Sequence, residues 1–126
     1  MENTIFWDDK KHRRLRYVFA GVWDWDEFYA QIDAGCALIA TVAHPVDMLL
    51  DFRMAGALDP DAVLKLKRAA SLAEDLDGRC VVIADDAAMQ TTYHLFLHVY
   101  PRLQAKFFLC TTVEEAHALL DNTPRQ

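Results

Sequence analysis

Four charged residues follow two apolar segments of the chain and are the best candidates for chemistry. Asp51 and Arg53 end the segment VDMLLDFR, and Asp85 and Asp86 follow the segment CVVIA. Ligands of open α/β sheets bind beyond the carboxyl ends of the strands, so these four residues could converge on one edge. Carboxylates beside an arginine and helix amides could serve catalysis or phosphate binding. We favour simpler roles, namely helix capping and an ion pair between Asp51 and Arg53.

Other residues with catalytic potential lack the neighbours that their chemistry needs. Ser71 is the only serine and lies within a helical pattern, which excludes the exposed elbow of a serine hydrolase. The four glycines form neither a GxGxxG nor a GxxxxGK motif. His94 and His98 have the spacing of a metal-binding pair on a helix, but no glutamate follows His94 as HExxH requires, and we interpret both as surface residues. The sequence therefore predicts no metal, no cofactor and no enzyme.

Composition narrows the class of protein. The 126 residues are 53% hydrophobic and 25% charged, which is typical of one globular domain over residues 1–126. No apolar run reaches the about eighteen residues that span a bilayer, and charged residues occupy 1–16 where a signal peptide would be apolar. We therefore expect a cytoplasmic protein. The net charge of -6 argues against a nucleic-acid binder, and we interpret the basic segment 10–16, KKHRRLR, as a solvated turn.

The three cysteines are Cys36, Cys80 and Cys110. They are widely separated and lie among apolar residues, and no CxxC pair is present. This pattern indicates reduced thiols in the core rather than a metal site or a disulfide.

The elements that position the charged residues follow from the apolar periodicity. Residues 4–7 and the alternating segment 15–19 predict two strands of a hairpin. Asp24 with Glu27 resembles a capping box and predicts a helix that stops before Pro45. Two tryptophans flank the start of this helix, Trp23 and Trp25, and we interpret them as packing anchors.

The remaining elements alternate between strands and helices. Residues 46–52 predict a central buried strand, and Asp59 with Pro60 predicts the start of a second helix. In chain order we then expect a helix over 61–76, a strand over 80–84, a helix from Asp86 to about Tyr100, a strand over 106–110 and a helix capped by Thr112. The order is ββαβαβαβα, which predicts an α/β fold with a mixed five-stranded sheet and helices packed on it.

The third predicted helix has an apolar arc of about 200 degrees, which is wider than one contact with a sheet requires. The excess predicts either a homodimer face or a lined pocket. The candidate interface residues are Met89, Tyr93, Phe96, Leu97 and Tyr100.

The segment DMLLDFRMAG resembles the phosphoacceptor region of a response-regulator receiver domain. The resemblance implies that Asp51 is the acceptor and that Asp8 and Asp9 are the acidic pair. The chain departs from this family elsewhere, because residues 10–20 predict a turn and a strand where a receiver has a helix. Lys106 also begins the last strand instead of ending it, and the Mg-dependent chemistry is unsupported.

A second resemblance covers nearly the whole chain and is to the SpoIIAA-like, STAS-related domains. It rests on the hairpin and on the segments YVFAGVWDWDEF, VDMLLDFR, CVVIADD, YPRL and FFLCTTVEEAHALL. The best-known members are anti-sigma factor antagonists, switched by phosphorylation of a serine in a DSSG-type motif. The matching loop here, RMAGALD, has no hydroxyl group. The resemblance therefore implies the fold and an interaction role without the phosphoswitch.

Three functions remain open. The leading hypothesis is a non-enzymatic regulatory or protein-interaction domain that forms a homodimer. The second is a domain that binds a small apolar or anionic molecule or a lipid, with a pocket between the third helix and the strand ends, as SEC14-like relatives of the family imply. The third is a degenerate receiver-like phosphoprotein with Asp51 as acceptor.

Overall fold

A computed structural model describes residues 3–58 and 62–123. In chain order the elements are β1 (Thr4–Trp7), β2 (Arg14–Gly21), α1 (Trp25–Ile39), β3 (Asp47–Ala55), α2 (Ala62–Lys65), α3 (Lys67–Asp75), β4 (Cys80–Ile83), α4 (Ala87–Val99), a 3-10 helix (Pro101–Ala105), β5 (Phe107–Cys110) and α5 (Val113–Asn122). No helix in these two ranges has the length and apolar character needed to cross a membrane.

The strands form one mixed sheet in the order β1-β2-β3-β4-β5. β1 pairs with β2 in the antiparallel sense, and the other three pairings are parallel. The predicted α/β fold with a mixed five-stranded sheet is confirmed. β3 lies at the centre, as expected from its nearly continuous apolar residues.

The two faces of the sheet are covered unequally. Successive parallel strands are added in one direction, and right-handed connections then place the connecting helices on one face. That face packs against α1 to α4 in a large core that contains Leu15 and Phe19. The opposite face packs against α5 around Leu49, Val81 and Ile83.

The predicted helix caps at Asp24, Asp86 and Thr112 are confirmed. The Asp24 carboxylate accepts hydrogen bonds from the amides of residues 26 and 27, at 2.8 and 3.2 Å. Asp86 accepts from the amide of Met89 at 2.7 Å, and the hydroxyl of Thr112 accepts from the third amide of α5 at 3.1 Å. Each cap satisfies an amide that the helix leaves without a partner.

The second predicted helix differs from the expectation. The prediction of one helix over 61–76 is wrong, because Leu66 interrupts it and separates α2 from α3. The amide of Leu66 bonds to the carbonyl of Val63 at 3.2 Å, an i to i−3 hydrogen bond that tightens the chain at this point. The predicted start at Asp59 and Pro60 lies outside the described residues.

The basic segment 10–16 has two parts. Its first four residues, 10–13, are exposed, as expected of a solvated turn. Arg14 instead contacts α5, where it hydrogen-bonds to Nδ1 of His117 at 2.8 Å and to Asp121. Because a guanidinium can only donate, Nδ1 accepts and the ring proton lies on Nε2, 3.2 Å from a carboxylate oxygen of Asp8. The prediction of a solvated turn therefore holds only for the first part.

Candidate ligand-binding site

Asp51 and Arg53 form a closed ion pair on β3. Nε of Arg53 donates to Oδ1 of Asp51 at 3.0 Å, Nη2 donates to Oδ2 at 2.8 Å, and the Arg53 amide donates to Oδ1 at 3.1 Å. The Asp51 side chain is 5% exposed. Both carboxylate oxygens accept hydrogen bonds from Arg53, so the ion pair has a structural role. Few acceptor positions of the carboxylate remain for a ligand.

The surroundings of Arg53 are acidic. The pKa of Arg53 is raised mainly by its hydrogen bond to Asp51, with further negative charge from Asp85 and Glu114. Three carboxylates around one guanidinium do not favour a phosphate or another anion. Asp86, the fourth predicted edge residue, is occupied as the cap of α4. Across residues 3–58 and 62–123, no cluster of three or more His, Cys, Asp or Glu residues could hold a metal ion.

The acidic pair of the receiver hypothesis lies far from its acceptor. The amide of Asp8 bonds to the carbonyl of Arg14, and Arg14 pairs with Asp47 at the first position of β3. Asp51 lies four residues further along the same strand, at about 3.3 Å per residue, which makes about 13 Å. At that separation Asp8 and Asp9 are too far from Asp51 to hold an ion beside it, and the geometry does not support a receiver-type site.

A cavity of about 110 Å³ lies between the sheet and the helices on its larger face. Residues from β2, β3, β4, β5, α1, α3 and α4 line it. None of the described residues in its wall carries a charge, and nearly all of them are apolar or aromatic. The cavity is therefore a candidate site for an apolar molecule, since such sites are concave and mostly hydrophobic.

The strand alternation decides which residues of β3 reach the cavity. Met48, Leu50 and Phe52 line it. Asp51 and Arg53 occupy the alternate positions and face the opposite side of the sheet, since successive side chains of a strand alternate between its faces. The predicted ligand edge and the cavity consequently lie on opposite faces of the same strand.

The wide apolar arc of the third predicted helix, α4, is largely explained by the cavity. Met89, Tyr93 and Phe96 line the cavity and are at most 9% exposed, so they have little surface to offer a second copy of the chain. Leu97 and Tyr100 are half-buried against the same core. The geometry thus agrees with the interpretation that the apolar arc of α4 lines a pocket. The homodimer stays a prediction.

The titratable side chains among the described residues of the cavity wall are uncharged. Burial raises the pKa of the Tyr17 hydroxyl and raises the pKa of Tyr93 to about 12. Burial also raises the pKa of the Cys80 thiol to about 12, against the nearby positive charge of Lys106. The three groups therefore stay protonated at neutral pH, and the part of the wall formed by described residues carries no charge.

Trp23 lines the cavity and packs among other aromatic rings. Its ring centroid lies 5.1 Å from that of Phe28, 5.3 Å from that of Trp25 and 6.2 Å from that of Phe52. Its indole Nε1 is buried and has no hydrogen-bond partner among the described residues. The sequence analysis interpreted Trp23 as a packing anchor and did not predict an unpaired donor. Sequence alone does not show whether the N–H of a clustered indole has a hydrogen-bond partner.

Comparison with protein-family models finds no match, and comparison with curated proteins finds no significant similarity.

Proposed function

We propose that this chain is a non-enzymatic domain that binds a small apolar molecule in the cavity between its sheet and α1, α3 and α4. The observation that carries the proposal is a cavity of about 110 Å³ whose described wall has no charged residue. A buried water needs two to four polar partners, so an apolar cavity stays dry and gains by taking an apolar guest. An enclosed engineered apolar cavity of about 150 Å³ binds benzene. The cavity here is partly open, so we expect a guest of one aromatic ring with a short side chain.

The chemistry of the wall supports binding rather than catalysis. The candidate charged residues are engaged elsewhere, Asp51 with Arg53 and Asp86 with the start of α4. The thiol in the wall at Cys80 stays protonated, and a thiol is a poor nucleophile in that state. An apolar guest would therefore be held without being transformed.

A thermal-shift titration with ethylbenzene tests the proposal. A ligand at one hundred times its dissociation constant stabilises the native state by about 2.7 kcal/mol, which raises the melting temperature of a domain of this size by roughly 10 °C. Ala69→Leu should abolish the shift, because Ala69 lines the cavity and the larger side chain fills it. Ala37→Leu is the matched control, because Ala37 is exposed on α1. No shift with the natural sequence, or an equal shift with Ala69→Leu, would contradict the proposal.

A second candidate function is that of a SpoIIAA/STAS-like regulatory domain that acts by protein contact as a homodimer. It is supported by the element order, a hairpin followed by parallel strand–helix units, and by exposed apolar residues on α4, Leu95 at 41% and Val99 at 39%. Light scattering would test it: a dimer should become monomeric in Leu95→Glu but not in Leu64→Glu, a control at an apolar position of α2 that is 71% exposed. A monomer at all concentrations would count against self-association. The cytoplasmic location stays a prediction from the sequence.

A further inference from the structure

We infer that the ligand of the cavity passes between α1 and α3, and that the contacts of Arg68 with Asp33 and Tyr29, the Arg68 bridge, must break before the ligand can enter or leave. This inference rests on the proposed function, and it adds the route of binding and the control of its rate.

The opening of the cavity lies over the central strand. Since α1 connects β2 to β3, and α2 with α3 connects β3 to β4, the space between α1 and α3 lies above β3. Leu50 is in the middle of β3 and lines the cavity beneath these helices, yet it is partly exposed. Ile32 on α1 and Leu72 on α3 also line the cavity and are partly exposed. These three residues place the opening between the two helices.

Arg68 spans this opening from α3 to α1. Its Nη2 donates to Oδ1 of Asp33 at 2.6 Å, and its guanidinium carbon lies 5.1 Å from the ring centroid of Tyr29. Beside it, the hydroxyl of Tyr29 donates to the carbonyl of Lys65, the last residue of α2. The Arg68 bridge therefore joins α1 to the segment of α2 and α3.

The helical spacing places the Arg68 bridge at the rim of the cavity. Ile32 lines the cavity, and Asp33 follows it about 100 degrees further round α1. Ala69 lines the cavity from α3, and Arg68 precedes it by the same angle. The side chains of Arg68 and Asp33 are 55% and 56% exposed. Their contact consequently lies between the cavity and solvent.

The Arg68 bridge acts on the rate of binding and not on the affinity. Arg68 and Asp33 do not belong to the described wall of the cavity, so a bound molecule does not replace their contact. Passage between the helices breaks the contact for a short time, and the contact forms again once the ligand is inside. An exposed ion pair and an exposed cation–π contact are each worth roughly two- to threefold in an equilibrium constant. Together they slow entry and exit by the same factor.

The probe 4-fluoroethylbenzene tests the inference, because its ¹⁹F line shape reports exchange between the bound and the free molecule. A titration followed in this way gives the rate constants of entry and exit and the dissociation constant. We expect Arg68→Ala to raise both rate constants about fivefold and to change the dissociation constant less than about twofold. Lys67→Ala is the matched control, since Lys67 is an exposed cation next to Arg68 and should leave all three constants unchanged.

A second measurement does not depend on a variant that folds. Salt screens an ion pair between exposed side chains, and both partners of the Asp33–Arg68 pair are more than half exposed. Raising the salt concentration from about 0.05 M to about 0.5 M should therefore raise the exit rate constant of the probe from the natural sequence about twofold.

The outcomes separate the two proposals. If the probe binds but neither rate constant changes in Arg68→Ala, or salt does not speed its exit, the role of the Arg68 bridge is overturned and the proposed function stands. If Arg68→Ala speeds exit alone and weakens binding in proportion, Arg68 stabilises the bound state, which overturns the rate control as well. If the probe does not bind the natural sequence, the proposed function fails and takes this inference with it.

Discussion

Arg79 holds the carboxylate of Asp47 at the amino edge of the sheet, where β3 and β4 begin side by side. The Arg79 amide and its Nη2 each lie 2.9 Å from a different oxygen of Asp47, and Nε lies 3.3 Å from Oδ1. The side chains are 3% exposed for Asp47 and 14% for Arg79. A third guanidinium nitrogen donates to the carbonyl of Thr123, just after α5. One arginine thus joins two central strands to the end of the last helix.

Asp47→Asn should lower the free energy of unfolding by about 3 kcal/mol, because it leaves the largely buried Arg79 guanidinium, which is 14% exposed, without its counter-ion. Urea unfolding would measure the change. The control is Asp33→Asn, whose ion pair with Arg68 is exposed by more than half on both sides and should be worth less than about 0.5 kcal/mol. Equal effects of the two variants would show that burial does not matter to the Asp47 pair.

Gly35→Ala should destabilise the protein by about 1–3 kcal/mol, although alanine is the better helix former by about 1 kcal/mol. A Cβ at Gly35 would lie 2.1 Å from the Tyr17 hydroxyl oxygen and 2.6 Å from two of its ring carbons. The same substitution combined with Tyr17→Phe should recover only part of the loss, because the ring carbons remain. Thermal or urea unfolding of the single and double variants would test this, and a more stable Gly35→Ala would contradict the close packing of α1 on β2.

Stability should fall as the pH rises above about 9, with Cys80 as one cause. Burial raises the pKa of this thiol from its ordinary value of 9.0 to about 12, so between these values the unfolded chain has lost a proton that the folded chain retains. The unfolded state then binds fewer protons, and the free energy of unfolding decreases by at most about 1.4 kcal/mol per pH unit. Urea unfolding at several pH values should show a shallower decrease for Cys80→Ala. A parallel decrease in both proteins would remove Cys80 as a cause.

Asp51 should not accept a phosphoryl group. Its two oxygens are held by Arg53, and the acidic pair at Asp8 and Asp9 lies about 13 Å away along the strand direction. After incubation with acetyl phosphate and Mg²⁺, intact-mass spectrometry should show no phosphate adduct on the natural sequence or on Asp51→Asn. An adduct that forms on the natural sequence and disappears in Asp51→Asn would revive the receiver hypothesis.

Local patterns in the sequence were sufficient to predict most of the helices and strands and several of the residues at which they begin. The caps at Asp24, Asp86 and Thr112 could be predicted because each capping side chain bonds to an amide only two or three residues away. The alternation of apolar residues and the turns between segments predicted the mixed sheet. The ion pair of Asp51 with Arg53 was also predictable, because the two residues are only two apart on one strand.

The break at Leu66 and the placement of the cavity depend on contacts between distant segments. Periodicity over 61–76 indicates one amphipathic helix, and only packing against the sheet shows where the helix is interrupted. The apolar arc of α4 suited an interface and a pocket equally well, since both need apolar side chains at the same positions.

Residue types and short-range spacing established an α/β chain with a five-stranded sheet, its helix caps and a closed ion pair on the central strand. Folding in three dimensions placed Met48, Leu50 and Phe52 in the wall of a cavity and turned Asp51 and Arg53 to the opposite face. It also left the Trp23 N–H buried and unpaired among the described residues. The physical reason is that capping and alternation act over a few residues, whereas a cavity or an unsatisfied donor is defined by groups that meet from distant parts of the chain.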